Sequence, residues 1–317
     1  MKSIIMIIPY FGKLPNYFSF WLKSVEKNQS VNFLLVTDDK HEYKYPSNVK
    51  VIYMKFENLK KKIEDTFDFK IKLKSPYKLC EYKPFYNRIF EDEVKKYDFW
   101  GFCDIDLIFG NIRKFLTDDI LEKYDKIYTR GHMTLFKNDK RVNNIITDSR
   151  VSSEYYNYKE ALSTNYVCHF DEGAGITKIF KKNKIMQYEN VDYGDVYMKS
   201  YGFKILFIPE LKDKFGYFEW NNGSLEFIAN GSRREIIYAH LQKRTMNVKT
   251  KEMYMEKYII VPNEFRDYEE NPKISHKVIY WNYYRKRIKT IVDNIKNGAI
   301  RQRIYRFTKK IYIRNTD

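Results

Sequence analysis

The chain has 317 residues, 44% of them hydrophobic and 18% aromatic, with 58 Lys and Arg against 41 Asp and Glu for a formal net charge of +17. That apolar content excludes a disordered chain or a low-complexity polycation, and the length suits one large α/β domain or two modest ones. No apolar run reaches the roughly 20 residues of a spanning helix, and the N-terminal stretch Ile4 to Phe11 is interrupted by Pro9, so the expectation is a cytoplasmic protein without signal peptide or membrane span.

Ser3 to Pro9 is a β-branched, apolar run that predicts a first strand, closed by Tyr10-Phe11-Gly12. Leu14, Phe18, Trp21, Leu22 and Val25 recur at helical spacing and predict a helix over 14–26. Val31 to Val36, ending in Thr37-Asp38-Asp39, and Val49 to Met54 read as two further strands. Short buried strands separated by a helix open a mostly parallel α/β sheet. A charged helix is expected over 56–67 and another from Lys83-Pro84-Phe85 to about Lys95, its proline placed where a missing N–H costs little. Phe99 to Cys103 reads as a strand meeting Asp104-Ile105-Asp106 and returning through Leu107 to Gly110. A helix follows over 112–124, then a strand pair over 126–136 broken at Gly131. Beyond it, 173–182 reads as helix, and 204–208 and 235–241 as strands. No repeat and no Gly/Ser linker divides the chain.

Asp104-Ile105-Asp106 is the sharpest chemical feature. In an extended segment residues two apart face one side, so both carboxylates can converge on a hard divalent cation just beyond the apolar strand that delivers them. Ligands of open α/β sheets bind outside the carboxyl ends of their strands. Asp171-Glu172 stand before Gly173-Ala174-Gly175 at the start of a predicted helix, where they either present a carboxylate into a cleft or simply cap the helix. His132 after Gly131, and Trp220 in Glu219-Trp220-Asn221-Asn222-Gly223, are weaker candidates; the tryptophan either stacks on a ligand or packs in the core. Cys80, Cys103 and Cys168 lack metal or disulfide spacing and read as free thiols.

The charge is concentrated at one end. Residues 273–317 hold 13 Lys and Arg against 2 Asp and Glu, a net +11 that leaves +6 for residues 1–272. In this segment aromatics alternate with cations, as in Tyr280-Trp281-Asn282-Tyr283-Tyr284-Arg285-Lys286-Arg287, and Ile288, Ile291, Val292 and Ile295 follow a helical stripe. The stripe either packs on the body or, with its lysines and arginines, rests on an anionic membrane surface. The expected division is a catalytic body over 1–272 and a basic, aromatic-rich helical tail over 273–317.

With its opening strand, Thr37-Asp38-Asp39, the Lys83 helix and Phe102-Cys103-Asp104-Ile105-Asp106-Leu107, the chain resembles the GT-A nucleotide-sugar glycosyltransferases over residues 3–245, and among them the bacterial capsule and surface-polysaccharide enzymes. The resemblance implies a Rossmann-like, mostly parallel central sheet flanked by helices, and Mn²⁺ or Mg²⁺ as cofactor. Asp106 would ligate the metal, with Asp104 sharing in the metal shell and binding the donor. Pro9, Tyr10, Phe11 and Asp38 would frame base and ribose. Lys83 would pair with a site carboxylate or a phosphate, or else stay solvated. Ile237-Tyr238-Ala239-His240-Leu241-Gln242-Lys243 is similar to a late His/Lys motif in which His240 completes the metal shell and Lys243 contacts phosphate; a core or surface histidine is the other reading. Asp171 or Glu172 would deprotonate or orient the acceptor. The implied activity is transfer of a sugar from a nucleoside diphosphate sugar, with a UDP-sugar the expected donor, to a hydroxyl of a lipid-linked glycan, retaining or inverting. The enzyme would be peripheral on the inner face of the cell membrane through its tail. The alternative is a nucleic-acid-binding protein or metal-dependent nucleic-acid enzyme. The sequence has no recognisable nucleic-acid motif and only a modest charge on the body, so no nucleic-acid partner is expected.

Overall fold

The computed structural model describes residues 1–147, 156–165, 167–198, 200–211, 214–250 and 256–274, with Ile288, Ile304 and Thr308 as isolated positions. Strands β1 (Ile4–Tyr10), β2 (Val31–Thr37), β3 (Val49–Tyr53) and β4 (Phe99–Cys103) are parallel and lie in the order β3-β2-β1-β4. After β5 (Leu107–Phe109), which joins a second sheet, β6 (Lys126–Arg130), β7 (Met133–Lys137) and β8 (Gln187–Tyr188) extend the first sheet to seven strands among the described residues, with β7 the single antiparallel member of these. The fold class is therefore the expected one, an α/β chain with a mostly parallel sheet flanked by helices.

Alternate residues of β1 enter different cores. Ile5 and Ile7 pack with Leu59 and Ile63 of helix α2 (Phe56–Thr66) on one face. On the other, Ile4, Met6 and Ile8 meet Phe18, Trp21, Leu22 and Val25 of helix α1 (Phe18–Glu26). Burial on both faces is why β1 and β2 are almost continuously apolar instead of alternating. Gly101 lets β4 approach β7, since a side chain there would run into the Thr134 carbonyl.

The second sheet was not anticipated. It combines β5 with β9 (Gly194–Val196), β10 (Phe203–Leu206), β11 (Phe215–Asn221), β12 (Ser224–Ala229), β13 (Ser232–Glu235), β14 (Tyr238–His240), β15 (Asn247–Val248), β16 (Lys257–Val261) and β17 (Glu264–Asp267). Within it β14 lies antiparallel to β5, pairing His240 with Leu107, and parallel to β9, pairing His240 with Asp195. That register sets His240 beside both the acidic turn and a third acid.

Several boundaries differ from expectation. The segment containing Lys83 is not one helix: Pro76–Phe85 is 3₁₀, followed by two single α-turns, Tyr86–Ile89 and Glu91–Val94. Pro84 falls inside the 3₁₀ run, where it has no N–H to give a continuous α-helical ladder. The helix expected over 14–26 begins at Phe18, and that over 112–124 splits in two, with Asn111 and Thr117 each capping a piece. The single strand expected over 235–241 divides between the ends of β13 and β14. Asp104-Ile105-Asp106 forms a turn, not an extended strand end. Among the described residues no helix is long and apolar enough to cross a membrane. The basic tail lies almost wholly outside the described residues; Ile288 and Ile304 are helical and exposed.

Candidate functional site

The carboxyl ends of β1 and β4 open into a cleft of about 870 Å³. Pro9, Tyr10 and Phe11 line one side, Asp171, Glu172 and Lys243 are also in its wall, and Lys83, Asp104, Asp106 and His240 gather in the same cleft. A smaller hollow of about 230 Å³ at Asn32, Lys50, Asp92 and Tyr97 holds no comparable group of acids and histidines.

Lys83 is the electrostatic hub. Its Nζ donates to Asp104 Oδ1 at 2.6 Å and to the Gly131 carbonyl at 2.7 Å, and lies 3.6 Å from Asp171 Oδ2. Burial opposes its charge, but Asp104 and then Asp171 outweigh burial and hold the amine well above its ordinary range. Of the readings open for it, Lys83 takes the one that pairs it with a carboxylate.

Asp106 is buried. Its Oδ2 accepts from the backbone N–H of Lys243 at 2.5 Å and faces His240 Nε2 at 3.6 Å, while Oδ1 takes no hydrogen bond among the described residues. Gln242 and Lys243 both adopt left-handed backbone conformations, with φ +56° and +54°, a choice that costs about 1–2 kcal/mol per non-glycine residue and aims the Lys243 amide at Asp106. Burial works against ionisation of Asp106, yet His240 and that amide hold it below the usual carboxylate range. Asp104, Asp106 and His240 together bring three ligand atoms within 4.8 Å of one another. Two carboxylates and an imidazole, one buried oxygen being unpaired, fit a hard divalent cation such as Mn²⁺.

Two groups that the sequence did not reveal hold this arrangement. Asp195 sits behind His240, its Oδ1 2.9 Å from His240 Nδ1. Glu81, fully buried, accepts the backbone N–H groups of Cys168, His169 and Phe170 at 2.6, 2.8 and 3.1 Å, fixing the loop that delivers Asp171. Neither stands in a motif. Glu81 is one acid among the apolar Leu79, Tyr82 and Phe85, and an acid on such a face is the only local hint of an internal partner.

Asp171 is 3% exposed and Oδ1 is unpaired among the described residues. Burial pushes its carboxyl up to about 7 against the opposing pull of Lys83. Gly131 makes its position possible, because a Cβ there would collide with the carboxylate. Glu172 is half-buried, and although burial opposes its charge, His169 holds it below the ordinary glutamate range. Neighbouring acids thus have environments that push their proton affinities apart. Neither caps the following helix, whose N-cap is Gly175.

The remaining candidates divide between the cleft and the rest of the body. The Lys243 ammonium lies 4.5 Å from the centre of the Tyr77 ring on the cleft wall. Asp38 is exposed and outside the lining; its carboxylate accepts from Gly12 N–H at 2.7 Å, tying down the loop after β1. Trp220 is a core residue, stacked on Tyr258 and donating to the Phe109 carbonyl. His132 lines the cleft, hydrogen-bonded through Nδ1 to Tyr238. Among the described residues the three cysteines form no disulfide; Cys103 and Cys168 are buried and Cys80 half-buried.

A family model described as a family of unknown function (DUF6625) matches residues 6–269. No curated protein matches the sequence. Among solved structures, the chain is similar to a galactosyltransferase, LgtC, in complex with donor and acceptor sugar analogues: 9% identity, 61% of this chain and 75% of that one, TM-score 0.36. It is similar to the glycosyltransferase GlyE of Streptococcus pneumoniae TIGR4 at 12% identity, covering 61% of this chain and 46% of that one, TM-score 0.32. Mouse xyloside xylosyltransferase 1 in its apo form matches at 10% identity over 62% and 88% of the two chains, TM-score 0.32. All three superpose loosely.

Proposed function

Since the chain belongs to a family of unknown function (DUF6625), we propose from its own site that it is a metal-dependent glycosyltransferase of the GT-A type, moving a sugar from a nucleoside diphosphate sugar to a hydroxyl of a lipid-linked glycan in surface-polysaccharide synthesis. The observation that carries this reading is the convergence of Asp104, Asp106 and His240 at the carboxyl ends of parallel strands, where ligands of such sheets bind. These residues would hold Mn²⁺ or Mg²⁺, which when bound supplies Lewis-acid neutralisation of a diphosphate leaving group.

The protein's own groups have separate tasks in this reading. Pro9, Tyr10 and Phe11 bound the space for a nucleoside, and the Lys243 ammonium is available to phosphate. Lys83 orients Asp104 and offsets its charge. Asp171, in the wall of the cleft and ionising near neutrality, takes the proton of the acceptor hydroxyl in an inverting reaction, or orients the two sugars in a retaining one. The body over 1–272 and the tail over 273–317 are kept as two units, a division supported by the family match ending at residue 269. The net +11 of the tail supports an anionic membrane surface, on the cytoplasmic side, as the place of work.

A panel of UDP-, GDP- and dTDP-sugars tests the reaction class. Release of the nucleoside diphosphate from one nucleotide group, stimulated by Mn²⁺ and lost with EDTA, is expected; no turnover or binding of any member contradicts it.

A further inference from the structure

We propose that Asp195 is a positioning residue that fixes the ring of His240, holding hydrogen on Nδ1 so that Nε2 faces the Asp104–Asp106 turn. The proposal rests on the metal-dependent reading of the site and adds to it a residue that no sequence feature marked.

Asp195 and His240 are paired across the parallel β9–β14 ladder and both are buried, so their side chains stand on one face at fixed height. Asp195 Oδ1 lies 2.9 Å from His240 Nδ1 and also accepts from Gln242 Nε2 at 2.5 Å. An ionised carboxylate only accepts, so the contact requires hydrogen on Nδ1. Nε2, 3.6 Å from Asp106 Oδ2, is then the atom presented to a cation. Metal-binding histidines are ordinarily oriented by a carboxylate on the far ring nitrogen, and loss of that partner weakens metal binding about 10–100-fold.

His132 shows that the far side of Asp195 is organised as well. Its Nδ1 pairs with the Tyr238 hydroxyl at 2.8 Å, its ring lies 4.5 Å from that of His240, and its Nε2 is 4.0 Å from Asp195 Oδ2 with no hydrogen-bond partner among the described residues. His132, Asp195 and His240 also form a second triad whose ligand atoms fall within 4.8 Å. In that arrangement Asp195 would itself be a ligand, whereas its Oδ1 is already engaged with His240 Nδ1. The 2.9 Å hydrogen bond favours positioning.

The test is Mn²⁺ titration of the full chain, followed by electron paramagnetic resonance, with electron spin-echo modulation to detect a directly bound ¹⁴N. Wild type is expected to bind one Mn²⁺ with a nitrogen coupling that His240→Ala removes. Asp195→Asn should raise the dissociation constant about 10–100-fold and alter the coupling, with a melting temperature close to wild type. Gln242→Ala removes a contact of both Asp195 Oδ1 and His240 Nδ1 and does not separate them, so Asp195→Ser serves if Asp195→Asn fails to fold and should weaken binding to a similar extent. Unchanged affinity and coupling in these variants, while Asp106→Asn abolishes binding, overturns the role of Asp195 alone. Two ions per chain, one lost in His132→Ala, overturns it by making Asp195 a ligand. No Mn²⁺ binding by wild type defeats the metal-dependent reading itself.

Discussion

Lys83→Met is expected to cost about 3–5 kcal/mol of stability, the usual effect of removing one partner from a buried ion pair. Met keeps the length and apolar volume of the lysine stem, so the loss isolates the ammonium, whose place is only 13% exposed. Without it the Gly131 carbonyl and Asp104 Oδ1 lose their donor at 2.7 and 2.6 Å. Asp171, 3.6 Å away, loses the cation that favours its ionised form. Denaturant unfolding at pH 7.5 measures the change. The double variant Lys83→Met/Asp171→Asn should be less destabilised than the sum of the single changes, because groups sharing one network are coupled. A loss below about 1 kcal/mol would place this lysine with surface ion pairs and contradict its role as the hub.

Asp171→Asn should act in the opposite direction on stability while removing most activity. The folded carboxyl titrates near about 7, chiefly because it is buried, whereas an unfolded aspartate titrates near about 3.9. Between those values the folded chain holds a proton that the unfolded chain has released. The cost of burying the charge is therefore absent below about pH 4, grows as pH rises, and is complete above pH 7. Asparagine carries no charge to bury, so the variant should melt higher than wild type at pH 8 and nearly with it at pH 4. If Asp171 takes the acceptor proton, kcat should fall about 10²–10⁴-fold, and the acid limb of the rate profile near pH 7 should vanish with it. An equal melting difference at both pH values, or a variant with wild-type turnover, would separate Asp171 from this chemistry.

The first half of the fold is legible because its signals are local. The doubly buried strands are uninterrupted apolar runs, and α1 repeats its large side chains at helical spacing. The acid pair stands out because a run as apolar as Phe99 to Cys103 does not end in two carboxylates without a reason. Its conformation was harder to read: spacing alone does not distinguish residues two apart on a strand from residues two apart around a turn, and the connection between β4 and β5 is a turn. The expectation of a helix from Lys83 to about Lys95 rests on Pro84 as a first-turn residue, but a proline fits a 3₁₀ run as well, and here it lies near the end of one over Pro76–Phe85.

The second sheet and half of the site depend on pairings with no sequence trace. β9 has three residues, too few for an alternation to be visible, and the strand expected over 235–241, which contains β14, carries no mark of its partners. What brings Asp106, Asp195 and His240 together is the order of β5, β14 and β9 across the sheet, joining positions 45 and 134 residues apart through hydrogen bonds between backbones. Glu81 is marked in the sequence only as one acid among the apolar Leu79, Tyr82 and Phe85, which does not say which backbone groups it holds.

Calorimetric titration of UDP into the 317-residue chain, with Mn²⁺ or with EDTA, for wild type and Asp106→Asn, is the most direct test of the metal-dependent site. Binding by wild type only with Mn²⁺, and its loss in a folded Asp106→Asn variant, is the predicted result. UDP binding that ignores both the metal and Asp106, or no binding under any condition, would contradict it.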